Sequence, residues 1–379
     1  MKIGILTLPI KTNYGGILQA FALQHTLIKL GYDAITINRH NRQEYPSLMI
    51  HLAGYCKRLI QHYLQGKKLV SIKWNPFISE EDYLSSSSET QKFIDRNIKL
   101  TRRVFSDELE KIEDDYHFDA YIVGSDQVWL EYYCPESFLS FVHRTDVKRV
   151  CYAASCGKRS FFCNEDKVGI CQKLAQLFDG VSVREDYLVP LCEKKLGIEA
   201  QWVLDPTLLL EPKEYIDASI CSVDKEPILF SYILDANDEK RKIVQSVADM
   251  LNVPVVNGNR IDEVNKAGKV YPSVDDWLQN INRSKFVITD SFHGTVFSIL
   301  FNKPFLSIGN AKRGMARFQS LLGRFGLNDR LILNVESDDY LSVVHNTIDF
   351  AMINKTIVEE RKKSLNFLLK SLNRDNVRK

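Results

Sequence analysis

A histidine followed by a glycine stands between two apolar runs in Phe-Val-Ile-Thr-Asp-Ser-Phe-His-Gly-Thr-Val-Phe-Ser-Ile-Leu-Phe, residues 286–301. An imidazole changes charge near neutral pH and can hand over a proton, so His293 is a candidate acid. It also has a plain reading, as a helix cap or a satisfied core histidine. Against that stands the cost of burying a titratable side chain that has neither a partner nor a task. Gly294 lacks a Cβ, so an anion can approach the backbone N–H groups of Gly294 and Thr295 closely. Arg184 is the one cation directly at a strand end in the first half of the chain. Its plain alternative is a surface ion pair with Glu185 or Asp186, worth little. Arg313 and Arg317 lie in a basic loop over 312–318, and planar guanidinium forks suit carboxylate or phosphate. In Gly-Ser-Asp-Gln-Val-Trp, residues 124–129, Ser125 and Asp126 are placed to hold ligand hydroxyls, with Trp129 as a stacking surface. Either Ser125 or Asp126 is equally a helix N-cap. Asn13-Tyr14-Gly15-Gly16 reads as simple turn geometry or as close approach of backbone to a ligand.

Each of these groups needs an element to hold it. Lys2 to Leu8 is a strand. The turn over 11–16 then leads into a helix whose apolar face is Ile17, Ala20, Phe21, Leu23, Leu27 and Leu30, with Gln19, Gln24 and Lys29 facing out. Gly31 stops it, and a strand follows. The Gly-x-Gly-x-x-Gly fingerprint of dinucleotide binding is absent. Further strands are expected at 118–123, 149–154 and 180–183, a loop at 85–88, and a domain connection over about 211–226. The second half alternates strand (228–234), helix (239–251), strand (254–256), helix (274–281), strand (286–289), helix and strand (305–308), before a helical tail over about 338–374. Such alternation implies parallel, doubly wound sheets. The expected fold is α/β, two Rossmann-like domains with a central cleft, over 1–215 and 225–355, with a C-terminal helix and tail at 356–379. Sites in such folds lie at strand carboxyl ends, inside the cleft.

A chain of 379 residues is long enough for two such domains. Its formal net charge of +2 gives no case for nucleic-acid binding. No apolar run is long enough to span a bilayer, and the N-terminal run is too short and interrupted for a signal peptide. The eight cysteines include no CxxC pair, so zinc is not suggested and reduced thiols in the cytoplasm are expected. Residues 47–73 are basic and amphipathic. They read as a solvated helix over a core or, alternatively, as a peripheral contact with an acidic membrane face.

Taken together, Asn13-Tyr14-Gly15-Gly16 with Leu18-Gln19-Ala20, Gly124 to Trp129, Ser182-Val183-Arg184-Glu185 and Ser291-Phe292-His293-Gly294 resemble the polysaccharide pyruvyl transferase family. The resemblance covers roughly residues 1–330. It implies a GT-B-like fold and transfer of a pyruvyl unit from phosphoenolpyruvate to a sugar hydroxyl, often as a ketal, in surface-polysaccharide assembly. It gives His293 the role of general acid and Arg184 that of donor binding. Ser291, Phe292, Gly294 and Thr295 fall around the donor, and Asn13, Tyr14, Gly15, Gly16, Ser125, Asp126 and Trp129 on the side of a free or lipid-linked saccharide acceptor. No cofactor or metal is implied, since phosphoenolpyruvate enters as a substrate. Members of the family can carry an arginine two residues before the histidine, where this chain has Ser291, and Arg313 or Arg317 is expected to supply that contact. The alternatives are a GT-B glycosyltransferase using a nucleotide sugar and a non-catalytic carbohydrate-binding relative.

Overall fold

A computed structural model describes residues 1–40, 85–157, 165–220, 226–259, 262–265, 268–309, 314–333 and 340–373. Arg313 and the segment 47–73 lie outside them. The chain forms two α/β lobes. The first is built on a parallel sheet of β1 (Lys2–Leu6), β2 (Asp33–Thr36), β3 (Ala120–Val123), β4 (Lys148–Ala154), β5 (Gly180–Val183) and β6 (Gln201–Trp202), in the order β2-β1-β3-β4-β5-β6. The second is built on β7 (Ile228–Tyr232), β8 (Val255–Asn257), β9 (Ser284–Thr289), β10 (Phe305–Ile308) and β11 (Leu331–Ile332), also parallel, in the order β8-β7-β9-β10-β11. The strands β3, β7 and β10 are buried on both faces, as near-continuous apolar runs in helix-covered parallel sheets should be.

Six helices matter below: α1 (Tyr14–Lys29), α2 (Asp238–Leu251), α3 (Val274–Arg283), α4 (Phe292–Leu300), α5 (Met315–Phe325) and α6 (Phe350–Leu372). The lobes share one apolar core. Ile17, Leu18 and Phe21 of α1 join Trp277 of α3 and Val296, Phe297 and Phe301 of the second lobe. The cleft expected between two Rossmann-like lobes is therefore closed at its base.

One face of α1 differs from the expected reading. Gln19 and Gln24, expected to face water, are buried against strand ends and Lys99 of the first lobe. Each finds hydrogen bonds instead, as a buried amide must. Gln19 donates to Thr7 Oγ1 (2.7 Å) and accepts from Ser125 N (2.9 Å), while Gln24 donates to Thr36 Oγ1 and Lys99 O. Other boundaries also move. Residues 85–88 begin a helical segment rather than a loop, the expected domain connection contains a helix (Pro212–Ala218), and the basic loop over 312–318 becomes helical from Met315.

Helix α6 is continuous across residue 355, where the second domain was expected to end. Its start, with Ile353 and Ile357, packs in the shared core. Its end, with Phe367, Leu368 and Leu372, packs on Ile3, Ile5 and Ala120 of the first sheet. No helix among the described residues is long and apolar enough to cross a membrane.

Candidate active site

Two helix starts meet where the carboxyl ends of the sheets face each other. In α1 the cap is Asn13, whose side chain accepts from Gly16 N at 3.3 Å. In α4 it is Ser291, whose hydroxyl accepts from Gly294 N at 3.3 Å. Both caps satisfy one of the N–H groups a helix leaves unpaired at its start. The second helical residue is Gly15 in one helix and His293 in the other, and they touch: a Cβ on Gly15 would overlap the imidazole at Nδ1. Of the two readings of Gly15, close approach is the observed one, and what approaches is the second lobe's histidine. Gly294 is required by packing as well, since a Cβ there would overlap the Thr289 hydroxyl.

His293 is buried, and its Nε2 has no hydrogen-bond partner. The nearest carboxylate oxygen is Asp205 Oδ2, 3.6 Å away, too far for a hydrogen bond but close enough for strong charge coupling. Asp205 follows the last strand of the first sheet. Its Oδ1 accepts from Thr207 N (3.0 Å) and Thr207 Oγ1 (2.6 Å), and its Oδ2 accepts from Arg184 Nη1 (2.8 Å). Burial alone would raise this carboxyl, but His293, Arg184 and Thr207 outweigh it and hold Asp205 well below the usual carboxylate range.

Arg184 is the centre of the cluster. It reaches Asp126 Oδ1 (3.3 Å) and Glu185 Oε1 (3.0 Å) as well as Asp205, with a side chain only 2% exposed. The ion pair with Glu185 is thus real but buried, not on the surface. Burial favours the neutral guanidine; the three carboxylates more than reverse this and raise Arg184 above its ordinary value. Asp126 is held low by Arg184, His293 and Arg317 in spite of its burial. In Glu185 burial wins, and its carboxyl is raised. Asp126 has φ 70°, the left-handed conformation that Asp tolerates better than most residues, just beyond the carboxyl end of β3 and in contact with this cluster. Arg317 comes from α5, with Nη1 3.9 Å from Asp126 Oδ1. The Phe292 ring lies beneath both guanidiniums, 4.3 Å from Arg184 and 5.5 Å from Arg317. Beside them is a cavity of about 10 Å3, space for no more than one water.

Other expected site residues prove structural. Trp129 is buried and stacked on Phe138 at 5.4 Å, so it offers no face to a sugar. Tyr14 is buried against Trp277 (5.6 Å) and donates to Pro272 O (2.8 Å), locking α1 to the second lobe. Ser125 donates its hydroxyl to Ala153 O (3.0 Å), leaving it no free donor for a ligand. The Gly294 and Thr295 N–H groups are taken by Ser291, and the Thr295 hydroxyl pairs with Ser307 at 2.7 Å, so these amides do not form an open anion cradle. Asp205 was not singled out in the sequence, where only its place after a strand end marked it.

The sequence profile of the family described as polysaccharide pyruvyl transferase matches residues 13–312, which include α1, Arg184, Asp205 and His293. The chain belongs to the polysaccharide pyruvyl transferase family. No curated protein matches it in sequence. Among solved structures it is similar to one described as a UDP-N-acetylglucosamine 2-epimerase from Listeria monocytogenes, with TM-score 0.54 and 10% identity over 100% of this chain and 98% of that one. A second UDP-N-acetylglucosamine 2-epimerase gives TM-score 0.50 and 13% identity over 97% and 94% of the two chains. At such identities the likeness is one of fold. This pyruvyl transferase family member thus has the two-lobed, GT-B-like α/β architecture.

Proposed function

We propose that the protein transfers the pyruvyl unit of phosphoenolpyruvate to a saccharide hydroxyl, closing a pyruvate ketal in polysaccharide biosynthesis. Family membership supports the reaction class. The observation that carries the assignment is the convergence, at the joint between lobes, of a histidine whose Nε2 is unpaired with Arg184 and Arg317. An acid and two guanidinium groups are what an anionic enol ether requires. His293 protonates the methylene carbon, and the oxocarbenium-like centre so formed is attacked by the first hydroxyl, whose proton returns to the imidazole. Phosphate leaves with its C–O electron pair, a second hydroxyl attacks the renewed cation and closes the ketal, and its proton goes to the departing phosphate.

The carboxylates that hold Arg184 occupy the place a donor carboxylate or phosphate would take. A trianionic donor does not fit a space for one water, so donor entry requires the lobes to part. The test is calorimetric titration with phosphoenolpyruvate, followed by phosphate release on adding free and lipid-linked saccharides. Wild-type protein is expected to bind and to release phosphate only with an acceptor, while His293→Asn binds without release. A wild-type protein that ignores phosphoenolpyruvate but turns over a nucleotide sugar would overturn the proposal.

A further inference from the structure

Helix α5 presents Arg317, Ser320 and Arg324 at spacings of three and four residues, which places them on one helix face. All three line the water-sized cavity together with Arg184, Asp205 and Phe292. Ser320 accepts a hydrogen bond from Asp186 N at 3.0 Å, which pins this face to the first lobe. Arg324 differs from Arg184 in what surrounds it. Its side chain is 6% exposed, and its nearest carboxylate oxygen, Glu360 Oε2, stands 3.7 Å from Nη1. Its Nε and Nη2 are buried with no hydrogen-bond partner. The guanidinium lies 3.5 Å from the centre of the Trp202 ring. Trp202 Nε1 in turn donates to Arg184 O at 3.0 Å, so one indole holds both arginines in place. Burial lowers Arg324 to about 10, only partly offset by Glu360, which leaves it charged at neutral pH. A buried cation with unused donors is expensive unless an anion completes it.

We propose that Arg324 is a phosphate-binding residue of this site, taking the donor phosphate together with Arg317 and Arg184. It then supplies the contact that an arginine in place of Ser291 would make. This rests on the phosphoenolpyruvate reading. The cavity as it stands has room for no more than one water, so the phosphate enters as α5 moves off the first lobe, breaking the Ser320–Asp186 bond and leaving Trp202 as the platform under Arg324.

The experiment is calorimetric titration of the full chain with phosphoenolpyruvate and, separately, with inorganic phosphate. Arg324→Ala, Arg324→Gln and Glu360→Gln are compared with wild type. Arg324→Gln keeps part of the stem on Trp202 and covers a failure of Arg324→Ala to fold. Loss of a charge-assisted contact predicts roughly tenfold weaker binding of both ligands in the Arg324 variants. Glu360→Gln is expected to bind at least as well as wild type. Wild-type binding that Arg324→Gln leaves intact overturns this inference alone. Wild-type protein that binds neither ligand overturns the phosphoenolpyruvate reading and this inference with it.

Discussion

Asp290 and Asp205 are both buried carboxylates just beyond strand ends, and each is paired with a cation. Asp290 lies three residues before His293, yet it serves only its own lobe. It accepts from Leu234 N (2.6 Å), Asp235 N (3.1 Å) and Lys240 Nζ (2.7 Å), tying the end of β9 to the loop between β7 and α2. Asp205 lies far from the histidine in sequence and next to it in space. It is held by Thr207 and Arg184 of its own lobe while facing the imidazole of the other. Neighbourhood in sequence therefore misleads here. The carboxylate beside the histidine motif ties its own lobe together, and the remote one faces the imidazole from the other lobe.

Three changes break or sharpen that contrast. The largest effect is expected from Asp290→Ala, which strands the Lys240 ammonium and two backbone N–H groups. Breaking such a buried pair costs about 3–5 kcal/mol, read as a lower urea midpoint, while the folded fraction keeps its affinity for phosphoenolpyruvate. Unchanged stability would show that Asp290 is not the structural member of the pair. Next comes Gly15→Ala, which pushes a methyl group into the imidazole. Overpacking of this kind costs about 1–3 kcal/mol and moves the ring away from Asp205, so phosphate release should fall more than donor binding. Equal losses in both would separate the ring's position from its task. The smallest effect is in Asp205→Asn, because the amide oxygen still accepts from Thr207, and Arg184 keeps Asp126 and Glu185 as partners; it is seen in the acid limb of stability. Asp205 and Asp126 are held below their unfolded values, so their contribution is complete above the ordinary carboxylate pKa and is lost as pH falls through the depressed one. Glu185, which is raised, works in the opposite sense: its contribution is present at low pH and fades as pH rises through its folded value. Asp205→Asn should flatten the acid limb, monitored by fluorescence between pH 2 and 5, roughly the span over which carboxylates titrate. An acid midpoint identical to wild type would mean that the coupling to Arg184 and His293 adds nothing to folding.

The alternation of strand and helix, the turn over 11–16 that leads into a helix and the strand-end position of Arg184 were legible because they are local. Each follows from a period of two or 3.6 residues, or from the chemistry of a helix start. What escaped was whatever segments distant in sequence decide. An aromatic residue after a strand reads alike whether it will meet a sugar or a neighbouring helix, so Tyr14 and Trp129 looked like ligand surfaces. Gln19 and Gln24 looked exposed because their polar side chains gave no sign of the buried partners, Thr7, Ser125, Thr36 and Lys99, that satisfy them. Asp205 and Arg324 gain their meaning only from groups in distant segments. The spacing of Arg317, Ser320 and Arg324 was visible, but it carries information only once residues 315–325 are known to be helical.

Helix α6 has a consequence for the order in which the protein can be made. Phe367, Leu368 and Leu372 complete the core beneath Ile3, Ile5 and Ala120, although they are made after every strand of that sheet. The first sheet therefore keeps that flank bare until residues 367–372 have been made, a stretch in which chaperones and hydrophobic neighbours have access to it.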